Sequence, residues 1–76
     1  MKLWILKRKM RSGEVLAFDE FHGFVVCANS SVRARELASK QSGDEGPDVW
    51  TNPRASTCQV VRTDGERIVM RDFNAA

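Results

Sequence analysis

The sequence predicts an α+β domain of two layers, in which a four-stranded, mainly antiparallel sheet carries one helix on one face in the order ββαββ. Three observations lead there. Short apolar runs occupy residues 2–7 and 23–29, a stretch with helical spacing of its apolar positions occupies 31–41, and Asp64-Gly65 stands between two β-branched runs at 57–62 and 67–73. The whole chain, 1–76, reads as a single domain with a loop at 43–56.

Each element has a local cause. Leu3-Trp4-Ile5-Leu6 favours extended backbone, and the polar run from Arg8 ends its buried part before the turn signal Ser12-Gly13. Residues 14–20 are ambiguous, since Val15, Leu16 and Phe18 fit either a hairpin arm or a packed loop. Phe24-Val25-Val26-Cys27-Ala28 is apolar on both faces and reads as a central strand. Asn29, Ser30 and Ser31 are three candidate N-caps, because their side chains accept from the free amides of a first helical turn. Ala34, Leu37, Ala38 and Gln41 then form one stripe, with Arg33, Glu36 and Lys40 opposite and Glu36 placed to pair with Lys40. Ser42-Gly43 is a stop signal. The strand–helix–strand unit is expected to cross over right-handedly. The Asp64-Gly65 pair suits the tight turn of a C-terminal hairpin, and 74–76 is expected to fray.

Size and composition bound the function. A chain of 76 residues and 8.6 kDa, 42% hydrophobic and 29% charged, has an expected stability of about 4–11 kcal/mol and little room for a deep catalytic cleft. No apolar run approaches a membrane span, and the run 3–6 is too short for a signal-peptide core, so a cytoplasmic chain without membrane contact is expected. The net charge of +2 hides a split: residues 1–13 hold Lys2, Lys7, Arg8, Lys9 and Arg11 and no acid, whereas the remaining seven basic residues face all ten acidic ones. Two readings fit the basic segment. It is a patch that steers an anionic partner, or an edge strand whose lysines discourage aggregation.

The candidate chemical groups are sparse. Cys27 and Cys58 are expected as reduced, buried thiols, and a disulfide would need neighbouring strands. With His22 they supply three ligands without paired C-x-x-C spacing, so no metal is expected. His22 beside Asp19 and Glu20 could serve acid–base chemistry, but no nucleophile, oxyanion donor or cofactor loop accompanies it; a surface histidine at a strand entrance is the simpler reading. Asp44, Glu45 and Asp48 lack the ligand spacing of a calcium loop. Trp50, between Pro47 and Pro53, either plugs the core or presents a contact surface. Trp4 reads as core.

The element order and size resemble the β-grasp fold of ubiquitin-like proteins, although the tail Asn74-Ala75-Ala76 lacks the Gly-Gly of conjugation. The pieces Gly23-Phe24-Val25-Val26, Ala34-Arg35-Glu36-Leu37-Ala38, Gly43-Asp44-Glu45-Gly46-Pro47 with Trp50, Ser56-Thr57-Cys58 and Arg71-Asp72-Phe73-Asn74-Ala75 resemble, in that order, a family of small uncharacterised proteins of bacteriophages and their bacterial hosts. That resemblance implies a phage or prophage accessory protein and transfers no catalytic residue. The expectation is therefore a non-enzymatic interaction module without cofactor, such as a phage-encoded inhibitor of a host defence protein of the CRISPR-effector kind, meeting a host protein or complex through Lys7, Arg8, Lys9, Arg11 and Trp50. The alternative is nucleic-acid binding through the basic N-terminal segment. The oligomeric state stays open.

Overall fold

The computed structural model describes residues 1–10 and 19–70. The expected turn at 12–13, most of the ambiguous stretch 14–20, Arg11 and the segment 71–76 lie outside the described residues. Two antiparallel pairings build one three-stranded sheet, in which β1 (Lys2–Arg8) lies between β2 (Gly23–Ala28) and β3 (Ser56–Val60). Between β2 and β3 the chain forms α1 (Ser31–Ser39) and the short α2 (Asp48–Thr51). β2 and β3 therefore run parallel to each other with β1 inserted between them.

Two expectations change. The sheet has three strands, not four: residues 67–70 are not strand, and Asp64 does not turn a hairpin. Its carboxylate instead accepts from Arg62 at 2.6 Å and Arg67 at 2.9 Å, exposed ion pairs that bridge the expected arms through side chains rather than a backbone ladder. The four-stranded β-grasp-like topology is not formed. The second change is that the basic first strand is central and the uncharged second strand is an edge, the reverse of both strand expectations. The helical crossover carries the chain past β1, so β3 adds on the far side of it.

Register assigns the faces. Trp4 pairs with Val26 and Val60, and Leu6 with Phe24 and Cys58, all on the face covered by the helices. Ile5 pairs with Val25 and Gln59, and Leu3 with Cys27, on the opposite face. The core joins Leu6, Ala28, Ala34, Ala38 and Trp50, each at most 2% exposed. Small alanines on α1 let its axis approach the sheet closely, as the stripe predicts, but the stripe ends early because Gln41 is exposed. Of the three candidate caps, Ser30 is the one used: its hydroxyl accepts from the Arg33 amide at 3.2 Å. Glu36 pairs with Arg33 at 3.0 Å rather than with Lys40.

Trp50 settles in the plug position. Its indole is fully buried, meets the Phe24 ring edge-on at 4.8 Å and donates Nε1–H to Glu45 at 2.6 Å. The expected contact role fails for that reason: Trp50 offers no surface. Glu45 also accepts from the Phe21 amide at 3.2 Å, and Asp19 carbonyl accepts from the Asp44 amide at 2.7 Å, so the loop clamps the entrance to β2. That clamp requires a glycine at Gly43, because a Cβ there would clash with the Asp19 carbonyl oxygen. It is not a left-handed helix stop; positive φ occurs at Gly46 and Asp19.

A second polar knot closes the other side of the plug. Arg35 donates to the Trp50 carbonyl (2.9 Å), the Ser56 hydroxyl (2.9 Å) and the Ser56 carbonyl (3.1 Å), while the Ser56 hydroxyl donates to the Val49 carbonyl at 2.7 Å. Ser56 is fully buried, and these bonds satisfy it.

Truncating Trp50→Ala empties the centre of this core and is expected to cost about 3–5 kcal/mol in denaturant unfolding, a large part of the total for a chain of this length. Glu45 gives a pH signature. Burial works to raise its pKa, but hydrogen bonds from the Trp50 indole, its own amide and the Phe21 and Gly43 amides outweigh burial and leave the pKa lowered. A lowered folded-state pKa contributes stability that is present above the unfolded carboxylate range and is lost as pH falls through the folded value. Urea midpoints should therefore drop on acidification, and Glu45→Gln should be less stable at neutral pH with a shallower acid limb.

Candidate binding groove

Helices cover one face of the sheet; the other is open to solvent over much of its area. Strand alternation places Leu3, Ile5 and Lys7 of β1 on this face, opposite Cys27, Val25 and Gly23 of β2. Leu3 is 41% and Val25 56% exposed, whereas Ile5 is buried. Near the end of β1 the surface sinks into a groove of about 350 Å³. Ile5, Gly23 and Val25 line it from the sheet, Met10 and Met70 add flexible apolar walls, and Lys7, Arg8 and His22 bring polar ends. Gly23 has a steric reason: a Cβ there would stand 2.5 Å from the Leu6 carbonyl oxygen. The strand pairing thus demands a residue without a side chain, and the groove opens beside Lys7 as a consequence.

The expected basic patch is not held together as a unit. Lys7 is exposed on the open face. Arg8 turns to the β2 side, where its Nη1 lies 3.3 Å from a Glu20 carboxylate oxygen; both side chains are largely buried, at 14% and 16% exposed. That approach is an ion pair without hydrogen-bond geometry at Nη1. Lys9 turns to the β3 side and donates from Nζ to the Pro53 carbonyl at 2.8 Å. Arg11 lies outside the described residues. Of the expected contact residues, Lys7 and Arg8 meet at the groove, Lys9 points elsewhere and Trp50 is in the core.

The other chemical candidates do not converge. His22 is exposed and lines the groove, at the strand entrance as expected, but neither Asp19 nor either cysteine lines it. Cys27 lies on the open face of one outer strand and Cys58 on the helix face of the other, with β1 between them, so a disulfide is geometrically closed to them. Cys27 is exposed, contrary to the expected buried thiol. Cys58 is half-buried, with its thiol 3.9 Å from the Ser31 carbonyl; burial raises its pKa, opposed by the nearby Arg35 charge. Among the described residues no cluster of three or more His, Cys, Asp or Glu could hold a metal ion, and no helix is long and apolar enough to cross a membrane.

Arg35 and the methionines were not legible as sequence signals of a site. Arg35 carried one unused clue: the residues three and four positions away on its helix, Ser31, Val32, Ala38 and Ser39, include no acid, so its partners had to come from outside the helix. Met10 and Met70 are far apart in sequence and meet only at the groove.

Searches against protein-family models, curated proteins and solved structures give no match for this chain.

The two thiols should separate kinetically. A thiol reagent at neutral pH should label Cys27 promptly and Cys58 at least about tenfold more slowly, because burial and a raised pKa both suppress the Cys58 thiolate. Cys27→Ser should leave only the slow phase.

Proposed function

We propose that this chain is a small non-enzymatic protein-interaction module that takes a protein partner on the uncovered face of its sheet. The observation that carries the reading is the groove, an apolar floor of Ile5 and Val25 between two methionines with the Lys7 ammonium at its rim. Met adapts its shape to irregular apolar partners, and an exposed lysine beside an apolar depression favours a partner segment that carries an apolar side chain next to a carboxylate. Exposed Leu3, Phe21 and Val25 extend the apolar surface around it. The resemblance to bacteriophage and prophage proteins supplies the setting, in which such a module acts as an inhibitor of a host defence protein.

The nucleic-acid reading rests on the basic N-terminal segment. Four phosphate contacts by Lys7, Arg8, Lys9 and Arg11 predict a log–log salt slope of about −3.6 on duplex DNA, whereas engagement of Arg8 by Glu20 lowers the expected slope to about −2.7.

The test uses immobilised protein, bacterial lysate and two charge reversals. A stoichiometric protein partner should be captured, Lys7→Glu should weaken its binding by about tenfold or more, and Lys9→Glu, on the β3 side, should bind nearly as wild type. No capture, or capture indifferent to Lys7→Glu, would count against the groove. Salt-sensitive binding of duplex DNA with a slope of about −2.7 or steeper would favour the nucleic-acid reading.

A further inference from the structure

The sheet has two outer edges, and only one of them is closed at its start. The Arg8 amide donates to the His22 carbonyl at 3.1 Å, which fixes the even residues of β1 as those bonded to β2. The bonded residues of β2 are then Phe24, Val26 and Ala28, and the backbone N–H and C=O groups of Gly23, Val25 and Cys27 point outward. Among the described residues these outward groups have no hydrogen-bond partner. At the opposite edge the Lys9 amide donates to Ala55 and the Val61 amide to Leu3, so Ser56, Cys58 and Val60 face outward from β3. That edge is closed at its start: the Ser56 amide donates to Asn52 at 3.1 Å and its carbonyl accepts from Arg35 at 3.1 Å. Arg62 puts a charge just beyond its other end.

Natural edge strands are commonly protected by lysine, proline, a bulge or a covering element. β2, Gly-Phe-Val-Val-Cys-Ala, contains no charge and no proline. We infer that the β2 edge pairs antiparallel with β2 of a second copy of this chain, about a two-fold axis at Val25, so that two three-stranded sheets join into one of six strands.

The occupant follows from the strand's complementarity to itself. Centring the pair on Val25 engages all three outward residues, with Val25 opposite Val25 and Gly23 opposite Cys27; shifting the register by two residues in either direction leaves an outward residue of the strand unmatched. On the helix face this register sets Phe24 beside Val26 of the second copy, an aromatic against a β-branched residue, and so extends both cores sideways. Flanking residues raise no like-charge contact, because His22 falls opposite Ala28, Phe21 opposite Asn29 and Glu20 opposite Ser30. The interface is isologous and closes on itself, so it yields a dimer rather than a fibre. It brings the grooves of the two copies to either side of the two-fold axis on one continuous open face. An edge pairing buries modest area, which places the dimer in the weak, concentration-dependent class.

Sedimentation of the full chain over micromolar to near-millimolar concentrations tests this. The wild type should move from monomer to dimer. Val25→Pro should remain monomeric with an unchanged circular-dichroism spectrum, since the amide it deletes bonds nothing within one copy. As a second arm that does not depend on that variant folding, Val25→Cys in a Cys27→Ser background should form a disulfide-linked dimer under mild oxidation, because opposed residues of a bonded antiparallel pair have Cα atoms about 5.5 Å apart, within disulfide reach. An Ile68→Cys, Cys27→Ser control, with its cysteine on an exposed segment outside the sheet, should cross-link at least about tenfold more slowly. A wild type that stays monomeric throughout, a dimer that survives Val25→Pro, or cross-linking at Val25 no faster than at Ile68 would each overturn the proposal.

Discussion

The indole of Trp50 is the piece on which the rest of the structure depends. A domain this small has few large side chains to bury, and this one comes from the single-turn α2 rather than from a strand or a long helix. Its insertion under the sheet brings with it a polar nitrogen that must be satisfied, and Glu45, just before α2, satisfies it. The same carboxylate holds the Phe21 amide, so seating the indole also fixes the approach to β2. Arg35 binds the Trp50 carbonyl and the start of β3 together, which ties α1, α2 and the last strand to one guanidinium. Loss of the plug would therefore loosen elements that do not touch the ring.

With both helices committed to that side, no helix or strand among the described residues packs on the opposite face of the sheet. The consequence is an unusual distribution for a small domain: Val25, Leu3 and Cys27 are in solvent, while the central strand is the one with lysines at both ends. Lysines suit a central strand here because they stand at the ends, beyond the apolar middle Leu3 to Leu6, and can reach water from there. The groove and the unpaired β2 edge are two results of one topology. Placing β1 between β2 and β3 leaves an uncharged strand outside, and the close approach at Gly23 removes a side chain next to Lys7.

Legibility in the sequence differed sharply between elements. The helix was readable because Ser30 and the alanine spacing are local signals that act within one turn of the backbone. Strand positions were readable from apolar runs for the same reason. The C-terminal hairpin was misread, since Asp64-Gly65 supplies a permissive turn but the residues after it, exposed at Ile68 to Met70, gain no burial from pairing. Turn chemistry alone does not make a hairpin stable without an apolar face to pack. The basic run does not form one patch: Lys7 and Arg8 reach the groove, Arg8 paired with Glu20, while Lys9, past the end of β1, is drawn to the Pro53 carbonyl.

The amino-acid sequence by itself determined the small α+β class, the three strands found among the described residues, the capped helix and the membership of Trp4 and the helix alanines in the core, because period, capping and composition act over a few residues. Only the tertiary structure decided which strand is central, that Trp50 is inside, that the two cysteines lie on opposite faces and that Met10, His22 and Met70 surround one groove. These depend on contacts between residues tens of positions apart. Such contacts are settled by competition for burial and for hydrogen-bond partners across the whole chain, which no local pattern encodes.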